Sequence, residues 1–144
     1  MNNNTKHIIA IICSSAICLL FALLLASNSI QLENYSALLT LYFLIFGIQW
    51  IAFIPAYVFH TERFFDLTGG LTYISAASLA LFWKSSESEL TAYDLILFLM
   101  VICWAVRLST FLFLRVMRAG EDTRFTTIKT SFLNFLMTWT IQGM

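Results

Sequence analysis

The chain has 144 residues, of which 60% are hydrophobic and 11% charged, with a single Pro and five Gly. That composition excludes an ordinary water-soluble domain, which needs a polar surface and breaks between apolar runs. Eight basic and eight acidic residues give a formal net charge of zero, so the chain as a whole has no electrostatic case for nucleic acid or another strongly anionic macromolecule.

The first apolar run, Ile8–Ala26, is hydrophobic nearly all round, with Ser14 and Ser15 its only hydroxyls before the flanking serines. A surface helix of a soluble protein would show one apolar stripe, so lipid is the implied solvent. Lys6 ahead of the run and Ala26-Ser27 near its end also fit a signal peptide. The run is longer than the roughly 7 to 15 residues of a secretory apolar region, which favours a retained span. Three further segments reach the roughly 20 helical residues needed for a hydrocarbon core of about 30 Å: Ala37–Phe59, Phe64–Trp83 and Leu95–Leu114. Pro55 in the second removes an amide and frees the carbonyl of Ile51, so a kink is expected there. Gly120 suits a left-handed cap just after the fourth helix, and Arg115 and Arg118 favour the dipole of its last turn. Thr130 or Ser131 can cap a fifth helix beginning near Phe132, which stops short of a full span. The expected fold is an all-α integral membrane bundle of four complete spans and a truncated fifth, in one transmembrane domain over residues 1–144.

Orientation follows from the basic residues, because cytoplasmic loops retain Lys and Arg. With the N-terminus in the cytoplasm, Lys6, Arg63, Arg115, Arg118, Arg124 and Lys129 share that side. The opposite loops hold Lys84 among Glu33, Glu87, Glu89 and Asp94. Trp83 and Tyr93, with Tyr35 and Tyr57, stand at span ends where amphipathic rings favour the interface.

Arg107 is the residue that composition explains least, because a central Arg costs about 2.5 to 3.5 kcal/mol to insert and usually finds a partner or a wet cavity. Asp66, the carboxylate at membrane depth in the third span, is its expected partner; snorkelling of both toward headgroups is the alternative. Offsets of 8 and 11 residues bring Arg115 and Arg118 within about 80° and 20° of Arg107 at 100° per residue. The resulting basic stripe continues into Arg124 and Lys129 and suits either anionic lipid headgroups or cofactor phosphates. Gln49 and Trp50 each need a hydrogen-bond partner inside the bilayer, most simply on a neighbouring helix. His60, Glu62 and Arg63 read as a solvated turn. Cys13, Cys18 and Cys103 lie in apolar runs without metal-site spacing, so neither a disulfide nor a metal site is expected. No catalytic constellation or phosphate loop can be read from the residues alone.

The stretches Trp104-Ala105-Val106-Arg107-Leu108, Arg115, Gly120-Glu121-Asp122-Thr123-Arg124-Phe125, Trp139 and Gln142-Gly143 resemble the multi-pass proteins related to steroid 5-alpha-reductase. Phe65-Asp66-Leu67-Thr68-Gly69-Gly70-Leu71-Thr72-Tyr73 looks like an aspartate-bearing span of the same family. The resemblance implies a membrane fold that binds NADPH at its cytoplasmic side and reduces a carbon-carbon double bond of a sterol-like or other lipid substrate. Of the basic stripe, Arg115, Arg118 and Arg124 are the candidates for the cofactor; Asp66, Arg107, Arg115, Asp122, Arg124 and Gln142 match the family pattern, and the resemblance implies the cavity or its cytoplasmic mouth for them. It names no proton donor among them. The family's C-terminal segment, with an Arg-His-Pro-Asn-Tyr-like cofactor signature, has no counterpart here. The chain therefore looks like the N-terminal part of a longer fold, with a partner chain as one possible source of the remainder. The other function class open at this stage is a non-catalytic membrane protein that binds lipid or a partner subunit.

Overall fold

The computed structural model describes residues 2–32 and 35–144; Glu33 lies outside them, as does the side chain of Tyr35. Helices α1 (Asn3–Leu24), α2 (Ala37–Val58), α3 (Phe65–Glu87) and α4 (Ala92–Ala119) are long and apolar enough to cross a membrane. A fifth, α5 (Phe132–Gln142), has 11 residues, about 16 Å at the helical rise. The architecture is an all-α membrane bundle. Among the described residues its one departure is a pair of two-residue strands, β1 (Gln31–Leu32) and β2 (Tyr35–Ser36), paired antiparallel between α1 and α2.

The apolar runs locate the spans, and short polar signals set their ends. Ser14 and Ser15 return their hydroxyls to the carbonyl of Ile11, so neither interrupts α1. Ser36 caps α2 by accepting the Leu39 amide at 3.2 Å. Thr91 and Asp94 form a capping box that starts α4 three residues before the apolar run. Gly120 then ends α4 with φ of 84°, as its position implies. Ser131 stands at the N-cap of α5 without a side-chain cap bond, unlike the expectation.

Neighbouring spans α1, α2, α3 and α4 pack in sequence, and α4 touches the bundle chiefly through α3. Helix α5 lies against both α1 and α2. Its Phe135 and Trp139 are 0% and 1% exposed and join Phe53, Ala56 and Phe125 in the core. The rings meet edge to face, with centroids 5.7 Å apart for Phe53 and Phe135 and 5.1 Å for Phe65 and Trp139. In hydrocarbon, such close packing and interhelical hydrogen bonds hold helices together in place of the aqueous hydrophobic effect. Gln49 donates to the Thr72 hydroxyl at 3.0 Å, tying α2 to α3, and Trp50 donates to the Thr140 hydroxyl at 3.2 Å, tying α2 to α5.

Candidate functional site

The α2–α3 and α4–α5 connections meet, and the ionic residues gather there. Glu62, read from sequence as part of a solvated turn, is buried. Its Oε1 accepts the Asp122 amide at 3.0 Å, and its Oε2 pairs with Lys129 Nζ at 2.9 Å. Burial works against the Glu62 charge, but the Asp122 amide and Lys129 outweigh it and hold the carboxyl below its usual range. Arg63 adds a 3.4 Å bond to the Gly120 carbonyl, so the two connections are clamped at two points.

Asp122 is also buried, and its carboxylate receives the Arg124 side chain, the Arg124 amide and, at 3.5 Å, Arg115. Arg124 holds the Asp122 pKa down, and the same contact pushes the guanidinium further into its charged range. The turn Thr123–Phe125 carries Phe125 into the core and swings Arg124 toward α3, where it meets Asp66 at 3.4 Å.

This placement corrects the expected Arg107–Asp66 pair. Asp66 stands in the first turn of α3 and is paired with Arg124. Arg107 lies eight residues, about 12 Å, before Arg115 along α4 and is exposed, with no ion pair among the described residues. The basic stripe is likewise divided. Arg115 and Arg124 turn to Asp122, whereas Arg118 stays exposed and unpaired among the described residues.

Behind Asp66, between α3 and α4, is a cavity of about 210 Å³. Gly69, Gly70, Ala105 and Ser109 leave room for it, Leu108 and Leu112 line its apolar side, and Gln142 reaches it from α5. Its outer end is formed by Tyr73 and Trp104, whose rings meet edge to face at 5.1 Å. Contacts, not backbone freedom, account for two glycines: Gly70 is required, and a side chain at Gly69 would displace the Gln142 amide. A Cβ on Gly69 would overlap the Gln142 side-chain nitrogen, and one on Gly70 would come within 2.5 Å of Ser109 Oγ. Sequence reasoning named Asp66 and Gln142 for this region but neither the glycines nor Ser109 as its walls. The adjacent Gly69-Gly70 in a span was the available signal, since paired glycines weaken a helix unless something must come close.

The chain is thus a multi-pass α-helical membrane protein whose one polar end is knotted by ion pairs around a small interhelical cavity. The model of a family described as a protein of unknown function, DUF1295, matches residues 52–144, and the chain belongs to that family. The matched stretch holds α3, α4, α5 and all the residues of the cavity and ionic cluster just described. No curated protein and no solved structure matches the chain.

Proposed function

We propose that this chain forms the lipid-binding part of a membrane-embedded reductase-like protein, related to the steroid 5-alpha-reductase group, with its ionic end toward the cytoplasm. The observation that carries the reading is the α3–α4 cavity. It has a carboxylate and an amide at one end, apolar and aromatic walls along its length, and an outer end at the exposed rings of Tyr73 and Trp104. The residues at the ionic end do not by themselves fit a dinucleotide. Arg124 is neutralised by Asp122 and Asp66, Arg115 leans on Asp122, and Glu121 and Asp122 share the same concavity. Arg118 and the exposed side of Arg115 are what remains for phosphate. NADPH therefore enters on resemblance, and no chemical step is assigned through it.

Titrating the purified full chain in lipid nanodiscs with NADPH tests the redox part. Saturable binding that weakens in Arg118→Ala supports it. Absence of binding both by the chain alone and after its fusion to the C-terminal half of a related protein overturns the reductase reading and leaves a lipid-binding protein.

A second reading, a non-catalytic subunit that docks a partner helix, draws on Arg107. An exposed Arg deep in α4, with no ion pair among the described residues, favours a neighbour that brings a carboxylate. Arg107→Gln should then abolish any stable hetero-assembly while leaving the monomer folded.

A further inference from the structure

A second cavity, of about 260 Å³, lies in the α3–α4 seam at the end away from the ionic cluster. Lys84 at its mouth stands 18 residues, about 27 Å, along α3 from Asp66. Its walls are one stripe of each helix. On α3 the stripe is Ala77, Ala80, Leu81 and Lys84, and on α4 it is Asp94, Leu97, Phe98 and Val101. Both follow the i, i+3, i+4, i+7 spacing of a single helix face. Because α3 and α4 run in opposite directions, each stripe begins with a charge at the same rim and ends in apolar groups two turns, about 10 Å, deeper. The small side chains of Ala77 and Ala80 keep that depth open.

Lys84 and Asp94 share the rim without pairing. They form no ion pair with each other, and Lys84 has no ion pair among the described residues. Asp94 uses Oδ2 for the capping box, accepting the Thr91 amide at 2.9 Å and the Thr91 hydroxyl at 2.7 Å. Its Oδ1 accepts no hydrogen bond among the described residues. Both side chains are only partly buried, so each can be reached from outside. Tyr93, exposed beside Asp94, sets the rim at headgroup depth, where amphipathic rings settle.

An apolar groove rimmed by one cation and one carboxylate complements a zwitterionic phospholipid, with a phosphate for Lys84 and a cationic head for Asp94. An anionic lipid fits less well. Glu87 and Glu89 stand exposed in the same connection, so its headgroup would gain one cation and face three carboxylates. Asp94 Oδ1 can accept a hydrogen bond, which a primary ammonium donates and a quaternary one cannot.

We propose that this groove binds a phospholipid with an ethanolamine headgroup, its phosphate on Lys84 Nζ, its ammonium on Asp94 Oδ1 and the start of one acyl chain between α3 and α4. A volume of about 260 Å³ equals roughly nine water volumes at about 30 Å³ each. The groove therefore takes part of one chain, and the rest of the lipid stays in the leaflet. This site shares no residue with the cavity behind Asp66, so either can fail alone.

The test uses the full chain in phosphatidylcholine nanodiscs carrying a trace of photoactivatable phospholipid with an ethanolamine, choline or glycerol headgroup on identical acyl chains. Mass spectrometry maps the labelled residues. The ethanolamine probe should label residues 77–81 and 97–101 about fivefold more than the choline probe, the equivalent of one exposed charge-assisted hydrogen bond, and the glycerol probe should label them least. Asp94→Asn keeps an acceptor for the Thr91 cap and should bring the ethanolamine probe down to the choline level. Lys84→Met keeps the apolar stem and should lower both of these probes by about threefold. Ala80→Phe should block all three by filling the groove. Thermal melts check that each variant is folded. The comparison of headgroups on the wild-type chain needs no variant: equal labelling by the ethanolamine and choline probes, or a preference for the glycerol probe, overturns the proposal. So does an ethanolamine preference that survives Asp94→Asn, or labelling insensitive to Ala80→Phe in a folded variant.

Discussion

Glu62→Ala is the substitution that most directly probes the clamp at the ionic end. It deletes the acceptor of the Asp122 amide and the partner of Lys129 together. The Glu62 side chain is 3% exposed and that of Lys129 21%, so the groups left behind are only partly rehydrated. Removing one member of a buried pair costs about 3 to 5 kcal/mol, and orphaning a buried amide about 1 to 3. Because Lys129 keeps some access to water, about 3 kcal/mol is the expected total for Glu62→Ala. Glu62→Gln preserves an acceptor for the amide and should cost about half as much. The assay is a denaturant titration in mild micelles, followed by circular dichroism, with Lys129→Met completing a double-mutant cycle. The double variant should fall short of the summed singles by about 1 kcal/mol or more. Additive singles, or a Glu62→Ala cost within about 0.5 kcal/mol of zero, would refute the clamp. The pH dependence has a definite sign. Glu62 and Asp122 have folded pKa values below their usual ones, so their stabilisation is present above the unfolded values of about 4.3 and 3.9. It is lost as pH falls through the lower folded values. Acid should therefore loosen wild type more than the Glu62→Gln variant.

Three other substitutions separate kinds of constraint. Gly120→Ala meets open space but keeps a φ of 84°, so it should cost about 1 kcal/mol from backbone conformation alone, read in the same titration. Gly69→Ala has ordinary helical backbone but displaces the Gln142 amide from its bond to the Phe65 carbonyl; it should cost about 1 kcal/mol, and much less in a Gln142→Ala background. Arg107→Leu removes an exposed cation that has no partner among the described residues, so insertion of α4 should become easier by about 3 kcal/mol in a translocation assay. A loss of insertion or of fold stability would instead indicate that Arg107 has a structural partner.

The spans were legible because hydrocarbon admits few alternatives: a long apolar run with capped ends becomes a helix. The apolar runs missed only helix ends. Helix α4 begins at Ala92 because Thr91 and Asp94 cap it, and α3 continues past Trp83 to Glu87. Likewise, Gln49 and Trp50 had to find partners, but nothing local pointed to Thr72 or to Thr140, which lies 90 residues from Trp50. The Arg107–Asp66 pairing failed for a geometric reason. Matching opposite charges by approximate depth ignored rotation about α4, and the turn after Asp122 delivered a nearer cation, Arg124, to Asp66. Glu62 looked solvated because its contacts, Asp122 and Lys129, are 60 and 67 residues away. The cavity walls were equally hidden, since Gly69, Gly70 and Ser109 acquire meaning only once α3 and α4 are side by side.

The bond from Trp50 to Thr140 also sets a timetable for making the protein. A ribosome adds about 5 to 20 residues per second, so the 90 residues between them take roughly 5 to 18 seconds to synthesise. Throughout that interval α2 has left its indole donor unmatched, and the pocket for Phe135 and Trp139 has no ring to fill it. These contacts of α2 are consequently completed only when the short α5 has been made. Until α5 arrives, the growing chain presents the polar and aromatic groups by which membrane chaperones and proteases distinguish unfinished bundles from finished ones.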